Sequence, residues 1–340
     1  MSILKKILKP VLAVFLSTFL CLLVLEGLTR IFFTLNLDYQ IEMSRYAGLM
    51  KRQVIVKGSS HAHLPDQQAK LMGVGVTINA KGFRDKDYEL KKPDNVYRIM
   101  LLGDSLTFGW GVKAENRFSD LLEARLNKEV KDSKYGRFEV INTGVGNYNT
   151  VQEVNFYEIQ GSAWEPDMVI LNFFINDAEP TPTKRSPFII QYSYLAMWLW
   201  GRLDTMQRIV GVRDNFFDYY GKLYNDDQPG LNIMKEALAR ISEITDKDRT
   251  KLLMVMLPEL HVVGKEYKFA DIYKRVKDFA NQSGITHVID LSDNFKGQEP
   301  DTLWVSPDDA HPNAKAHKII AEGIFSHLLE NYFRTSKMDD

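Results

Sequence analysis

The chain has 340 residues, enough for one large domain or two small ones, and its 45% hydrophobic and 26% charged residues are ordinary for a globular protein. Its 43 Lys and Arg against 44 Asp and Glu give a formal net charge of −1, which does not favour a nucleic-acid partner, since such a partner requires a basic face. The single cysteine, Cys21, excludes an intrachain disulfide and a metal site built from several cysteines.

The first 35 residues predict a membrane anchor. Three lysines precede an apolar run at 11–25, and Glu26 and Arg30 are spaced to pair on a helix that continues to Phe33. No small-x-small cleavage site follows the run, which disfavours the alternative of a cleaved signal peptide. Because the lysines come before the span, we expect a cytoplasmic N-terminus and a single-pass protein whose remaining residues lie outside the cytoplasmic membrane.

Residues 36–90 are mixed and polar, with a weak strand pattern in "GVGVTINAKGFRD" at 73–85. We interpret them as a juxtamembrane segment that leads onto a domain. His61 and His63 lie two apart in "SSHAHLPD" at 59–66, a pair that could suggest a metal site, but no third ligand is evident nearby. We therefore expect a plain loop here and no bound metal.

From 91 to 335 strand-like and helical patterns alternate, which predicts a domain with a parallel sheet. Such a sheet is covered by helices on both faces, so we expect a three-layer α/β/α fold with five strands. The expected strands lie at 96–102, 137–144, 166–177, 251–259 and 286–292. The expected helices lie at 118–130, 150–161, 231–244, 269–284 and 313–333.

An aromatic-rich insertion at 180–229 interrupts the alternation. Trp and Tyr favour membrane interfaces, so one interpretation is a lid or a membrane-facing surface. The alternative is that these side chains pack over the sheet as core. The aromatic residues in question are Tyr192, Tyr194, Trp198, Trp200, Phe216, Phe217, Tyr219 and Tyr220.

Polar residues follow several of the expected strands. Ser105 comes after the first, Asn176 ends the third, and Asp308 and His311 precede the last helix. In parallel sheets functional groups gather at the carboxyl ends of the strands. A serine nucleophile needs a neighbouring base and hydrogen-bond donors for the oxyanion. His311 can supply the base, and the Asn176 amide can supply a donor.

Four short blocks in order resemble the SGNH (GDSL-type) hydrolases. They are "GDSLTFGWG" at 103–111, "NTGVGNYN" at 142–149, "IND" at 175–177 and "DDAHPN" at 308–313. The resemblance covers about residues 75–330 and implies a flavodoxin-like α/β/α fold. The lead-in "TINAKGFRDKDY" at 77–88 is similar to that of membrane-anchored bacterial members linked to cell-surface polysaccharides.

The resemblance implies the catalytic roles by position. Ser105 would be the nucleophile, and His311 the general base and acid. Asp308 would orient His311, because the D-x-x-H spacing selects it over the adjacent Asp309. For Asp104 we expect a hydrogen bond within the turn rather than a part in catalysis.

The resemblance also implies an oxyanion hole. Its donors would be the Ser105 N–H, the Asn176 side-chain amide and the N–H of Asn147 next to Gly146. The family usually has glycine where this chain has Asn147, and often has glycine where it has Ile175. Asparagine tolerates positive φ, and we expect Gly144 and Gly146 to absorb unusual backbone angles. A side chain at 147 narrows the acyl pocket and predicts a preference for acetyl-sized groups.

These features predict a membrane-anchored serine esterase that hydrolyses O-acyl esters of a carbohydrate or lipid through an acyl-Ser105 intermediate, without cofactor. Two alternatives stay open: an O-acyltransferase that acts on a cell-surface glycan, and a non-catalytic anchored subunit that keeps the fold for binding. The expected location is the bacterial inner membrane, with the catalytic domain on the periplasmic or extracellular side. Envelope proteins are possible partners, and no nucleic acid is expected.

Overall fold

The computed structural model describes residues 2–56, 59–130, 134–181, 187–264 and 266–333. The expected end of the domain at 335 lies outside these residues. The helices are α1 (Ser2–Leu35), α2 (Tyr39–Met50), α3 (Ser105–Phe108), α4 (Phe118–Glu129), α5 (Thr150–Phe156), α6 (Phe188–Tyr192), α7 (Tyr194–Ile209), α8 (Phe216–Leu223), α9 (Pro229–Asp248), α10 (Ala270–Gln282) and α11 (Ala314–Asn331). The strands are β1 (Lys51–Val56), β2 (Ser59–His63), β3 (Gln67–Leu71), β4 (Val74–Ile78), β5 (Val96–Leu102), β6 (Arg137–Asn142), β7 (Met168–Phe173), β8 (Lys251–Met256), β9 (Val288–Asp290), β10 (Trp304–Ser306) and β11 (Asp309–Pro312).

The expected five-stranded parallel sheet is confirmed. Its strand order is β6-β5-β7-β8-β9, and every neighbouring pair is parallel. All residues of β5 and β7 are buried, which is why both strands are mostly apolar in sequence, with Arg98 and Asn172 as the polar exceptions. Separate apolar clusters cover the two faces, one including Val154, Leu238 and Val276 from α5, α9 and α10, the other Leu122 and Ile324 from α4 and α11. The sheet is therefore the middle layer of an α/β/α sandwich.

The segment at 36–90 is more ordered than the sequence indicates. It contains α2 and two antiparallel hairpins, β1–β2 and β3–β4. The prediction of a loop at 59–66 is wrong for its first five residues, because Ser59–His63 forms β2 and pairs with β1. Its residues are polar or small, so the strand gives a weak apolar pattern, and pairing with its neighbour supplies the missing stability.

The chain divides into two compact units. One contains 1–48 and 184–215, and the other contains 49–183 and 216–340. The aromatic insertion is split accordingly. In the larger unit Phe216, Tyr219 and Tyr220 pack against the hydrophobic core, as the core interpretation expects. In the smaller unit Tyr192 and Trp200 are 58% and 51% exposed, so they do not act as core.

One described helix is long and apolar enough to cross a membrane. The segment is Ile7–Leu35, 29 residues within α1, and its side chains are not buried by other parts of the protein. A signal sequence near the N-terminus has the same properties.

Candidate active site

Ser105 is the first residue of α3, directly after β5. Gly103 and Asp104 make the sharp turn between strand and helix, and a side chain at Gly103 would collide with Thr107. The Asp104 carboxylate accepts the Leu106 N–H at 2.8 Å, which is the turn hydrogen bond expected from the sequence. The turn presents Ser105 at the carboxyl end of the sheet with 6% of its surface exposed.

His311 reaches Ser105 from the hairpin β10–β11. Its Nε2 lies 2.8 Å from the Ser105 Oγ, and its Nδ1 lies 2.5 Å from an oxygen of Asp309. Asp309 is 3% exposed. Serine, imidazole and carboxylate therefore form one continuous hydrogen-bonded chain.

The expectation for Asp308 is corrected by the structure, which places Asp309 on His311 instead. Asp309 and His311 are alternate residues of β11, so their side chains lie on the same face of the strand. Asp308 belongs to the exposed turn before β11, where its carboxylate accepts the Ser306 hydroxyl at 2.5 Å. A D-x-x-H spacing places both residues on one side of a helical turn, and this loop is extended instead.

Trp110 completes the carboxylate's surroundings, and the sequence analysis missed it. Its indole Nε1 donates to the second oxygen of Asp309 at 2.7 Å, and the ring is 1% exposed. Gly109 and Gly111 on either side both have positive φ, and a side chain at Gly111 would collide with Val305. The "GWG" pattern indicates such a turn, since glycine adopts positive φ readily and one stands on each side of the tryptophan.

Hydrogen bonding keeps Asp309 ionised. Burial opposes the charge, but the bonds from His311 and Trp110 outweigh it and lower the pKa of Asp309. The carboxylate can therefore hold the imidazole in one tautomer and stabilise it when it becomes an imidazolium.

Asn176 lies at the end of β7, in the short helical turn Ile175–Ala178. Its side-chain Nδ2 donates to Asp104 at 3.2 Å. This hydrogen bond joins Asp104, which precedes Ser105, directly to Asn176, which follows β7. An amide nitrogen carries two hydrogens, so the second is left to donate to another oxygen.

Gly146 and Asn147 form the centre of a tight turn. The Tyr148 N–H donates to the Val145 carbonyl at 3.0 Å, and Asn147 has φ 64°, the arrangement of a type II turn with asparagine in its third position. The positive φ is taken by Asn147 itself, not by Gly144 or Gly146 as expected. Gly144 serves close packing instead, because a side chain there would collide with the Phe108 backbone.

The hairpin β1–β2 contacts this turn. Lys51 Nζ donates to the Gly146 carbonyl at 2.5 Å and to the Asn147 side chain at 3.1 Å, and His61 Nε2 lies 3.0 Å from the same carbonyl. Burial lowers the pKa of Lys51 to about 7. Burial, with the nearby Lys51 charge, lowers the pKa of His61 to about 4. Among the described residues no group of three or more His, Cys, Asp or Glu could hold a metal ion. The His61 ring instead contacts the Gly146 carbonyl through Nε2.

Three buried carboxyl groups lie behind the serine. Burial raises the pKa of Asp104, Asp177 and Glu153, and the nearby Asp104 charge raises the pKa of the other two further. Asp177 accepts the Phe174 N–H at 3.1 Å, which fixes the end of β7 near Asn176. Asp177 and Glu153 give no signal in the sequence, because their proximity depends on the packing of α5 against the turn after β7.

Residues 101–319 match the family model of the GDSL-like lipases and acylhydrolases, which is well over half of the chain. The chain belongs to this family. It is therefore an SGNH-type esterase or acyl hydrolase, and the family suggested by the four sequence blocks is confirmed. A search of curated proteins found no match.

Solved structures with a similar fold are distant in sequence. TesA shares 14% identity, covers 68% of this chain and 98% of its own, with a TM-score of 0.42. A catalytic mutant of Axe2, an acetylxylan esterase from Geobacillus stearothermophilus, shares 17%, with coverages of 70% and 97% and a TM-score of 0.45. A two-domain esterase active on acetylated mannans shares 17%, with coverages of 69% and 49% and a TM-score of 0.44.

Proposed function

We propose that the protein is a membrane-anchored serine esterase that cleaves O-acyl esters through an acyl-Ser105 intermediate. The observation that carries the proposal is the hydrogen-bonded chain from Ser105 through His311 to Asp309, with distances of 2.8 and 2.5 Å. A non-catalytic subunit that keeps the fold only for binding has no use for this arrangement.

In the first half-reaction the Ser105 Oγ attacks the ester carbonyl carbon while its proton passes to His311 Nε2. The carbonyl oxygen becomes an oxyanion. When the tetrahedral intermediate collapses, the ester C–O bond breaks and the leaving alcohol takes the proton from His311. Water then attacks the acyl carbon and gives a proton to His311. The bond between the acyl carbon and the Ser105 Oγ breaks, Oγ takes the proton back from His311, and the acid is released.

The proposed oxyanion donors are the Ser105 N–H, the Asn176 amide and the Asn147 N–H. Ser105 begins a helix, so its N–H has no intrahelical partner and is available to a ligand. The second hydrogen of Asn176 Nδ2 and the turn at Asn147 supply the other two. Donors fixed before the reaction are the main source of rate enhancement in such sites.

The proposed substrate is an O-acyl ester of a carbohydrate or lipid outside the cytoplasmic membrane, with acetyl-sized groups preferred. Ile7–Leu35 would serve as the single span, and its length supports this role. Lys5, Lys6 and Lys9 precede the apolar run at 11–25 and favour a cytoplasmic N-terminus. The expected location is the bacterial inner membrane, with the catalytic domain on its outer side. Envelope proteins there are possible partners.

The test uses the full-length protein in detergent with p-nitrophenyl esters from acetate to long-chain acyl groups. We expect hydrolysis that is fastest for acetate and lost in both Ser105→Ala and His311→Ala. The double variant should be no slower than either single one, because the two residues act as a unit. Ser306→Ala is the matched control, since its hydroxyl contacts Asp308 outside the chain of hydrogen bonds.

Full activity in Ser105→Ala would refute the mechanism. A sugar acceptor added to the same assay separates hydrolysis from acyl transfer. Acid release that is unchanged by the acceptor supports the esterase, whereas an acylated sugar at the expense of free acid would show an acyltransferase.

A further inference from the structure

The helix α7 carries an exposed apolar stripe, formed by Leu199, Leu203 and Met206 and extended by Val210 directly after its end. Leu199, Leu203 and Met206 are four and three residues apart, so they lie on one face of the helix. Each is between 46% and 63% exposed, which is a large apolar surface to leave in water.

The start of α7 is fixed to the apolar helix α1. The Glu26 carboxylate accepts the Ser193 hydroxyl at 2.7 Å and the N–H groups of Tyr194 and Leu195 at 3.0 and 3.1 Å. Arg30 pairs with Glu26 at 2.7 Å and donates to the Tyr192 carbonyl at 2.6 Å. Glu26 thus satisfies N–H groups that are free at the start of every helix.

The position of Glu26 along α1 sets the depth of α7. A hydrocarbon core of about 30 Å takes about 20 helical residues, and counting from Ile7 this reaches Glu26. Glu26 and Arg30 therefore lie where the span leaves the lipid. With 16 residues, α7 is about 24 Å long and contains Arg202, Asp204 and Arg208, so it is unsuited to a second span.

We propose that α7 lies in the membrane interface at which α1 leaves the bilayer, with the apolar stripe against the lipid acyl chains. The proposal rests on the anchor role proposed for α1. The lipid surface is the favoured occupant because the stripe is continuous, through the Glu26 contacts, with a helix whose own surface is apolar and exposed. Trp200 and Arg202, at its flanks, suit the headgroup level.

The test places a polarity-sensitive fluorophore on single cysteines of the full chain reconstituted in phosphatidylcholine–phosphatidylglycerol vesicles. Cys21→Ala removes the native cysteine. The label is attached at Leu203→Cys in the stripe or, as the matched control, at Thr205→Cys, an exposed position off the stripe. We expect lipid-borne quenchers to act on the label at 203 and aqueous iodide to act on the label at 205.

Equal iodide quenching at both positions would overturn the proposal. Protection of position 203 from both quenchers would also overturn it, because a protein would then cover the stripe. Flotation with the vesicles tests the anchor separately. Protein that floats but has a water-exposed label at 203 refutes the α7 surface alone, whereas protein that does not float refutes the proposed anchor.

A second inference concerns Lys51 and His61, which bind the Gly146 carbonyl. A peptide group is planar and trans, so the Asn147 N–H points away from the side on which this carbonyl lies. The contact is fixed further by Tyr148, whose hydroxyl donates to the His61 carbonyl at 2.7 Å. The Ser60 hydroxyl lies 2.8 Å from His61 Nδ1, which leaves a proton on Nε2 for Gly146.

We infer that Lys51 and His61 are positioning residues that hold the Gly146–Asn147 peptide with its N–H towards the oxyanion. This rests on the proposed oxyanion hole. A peptide in a type II turn can flip by a rotation of the two adjoining dihedrals, and the flipped form would present a carbonyl oxygen to the oxyanion. Two donors on the Gly146 carbonyl favour the productive form.

The test compares Lys51→Met, Lys51→Arg and the exposed control Lys70→Met in the full-length enzyme. We expect Lys51→Met to lower kcat by about 10-fold to 10²-fold, up to the value of one oxyanion donor, with little change in KM. Inactivation by a phosphonate, which mimics the oxyanion, should slow in parallel. Lys51→Arg should restore most of the rate, and Lys70→Met should change nothing.

Unchanged kcat and phosphonate reactivity in folded Lys51→Met would refute the positioning role. A loss in which KM rises as much as kcat falls, or in which arginine gives no rescue, would also refute it. Ser105→Ala is measured alongside. If it stays active, the proposed mechanism fails, whereas an inactive Ser105→Ala with a fully active Lys51→Met refutes only the role of Lys51.

Discussion

Asp309 and His311 are joined by a 2.5 Å hydrogen bond between alternate residues of one β-strand. The pairing needs no contact from elsewhere in the chain, since side chains two apart on a strand share a face. What the fold adds is the burial of Asp309 beneath Trp110 and the delivery of the His311 Nε2 to Ser105.

This pairing predicts different outcomes for two adjacent carboxylates. Asp309→Asn should lower kcat by about 10⁴-fold, the loss known for the same change in a serine protease triad, because the imidazole then adopts the wrong tautomer. Asp308→Asn should leave kcat within about two-fold, since its contact is with Ser306 in an exposed turn. Ester hydrolysis by both purified variants decides the matter. A severe loss in Asp308→Asn with an active Asp309→Asn would reverse the assignment.

Trp110→Phe should weaken the enzyme without removing the triad. The change deletes a hydrogen bond to an ionised carboxylate, which contributes roughly 1.5–3 kcal/mol. Because that bond favours the carboxylate, its loss should raise the pKa of Asp309 and move the acid limb of the rate profile to higher pH. The measurement is kcat/KM against pH, with the exposed Trp200→Phe as control. A profile identical to that of the wild type would contradict the role of Trp110.

Asn176→Ala should lower kcat by about 10²–10³-fold, the typical effect of one oxyanion donor. The change also removes a partner from the buried Asp104, so the melting temperature should be measured alongside. A catalytic role requires the loss in kcat at a temperature where the variant is folded, with KM little changed. Full activity of a folded variant would exclude Asn176 from the oxyanion hole.

His317 makes stability depend on pH. It is fully buried, its Nδ1 accepts the Phe118 N–H at 3.2 Å, and burial lowers its pKa from 6.5 to about 3. The folded state therefore resists a proton that the unfolded chain binds below pH 6.5. The stabilising contribution is complete above pH 6.5 and is lost as the pH falls towards 3, by about 1.4 kcal/mol per pH unit.

His317→Gln keeps an acceptor for Phe118 but does not titrate. We expect its free energy of unfolding in urea to fall less steeply between pH 6 and 4 than that of the wild type, by the equivalent of about one proton. The remaining slope includes His63, which is buried and has its pKa lowered to about 3, also chiefly by burial. Parallel slopes for wild type and variant would show that His317 is protonated in the folded state.

The sequence predicted the larger unit well where local pattern and burial agree. The central strands β5 and β7 are mostly apolar segments, and the helix α9 has regular amphipathic spacing. Ser105 and His311 were predicted as site residues from blocks that follow or precede these clear elements, and their side chains lie 2.8 Å apart in the structure. Of the two hairpins at 51–78 the sequence indicated only β4, through the weak strand pattern at 73–85, because short polar strands are stabilised by their partner strand and not by an apolar pattern of their own.

By itself the sequence determined the five strands of the sheet and the family, and it predicted Ser105 and His311 as site residues, because each depends on residues close together in the chain. Only the tertiary structure decided that Asp309 rather than Asp308 holds His311, since an extended strand and a helical turn place different neighbours on one face. It also decided which side chains surround the site. Trp110 meets Asp309, and Lys51 meets Gly146, across long separations in sequence that only packing closes.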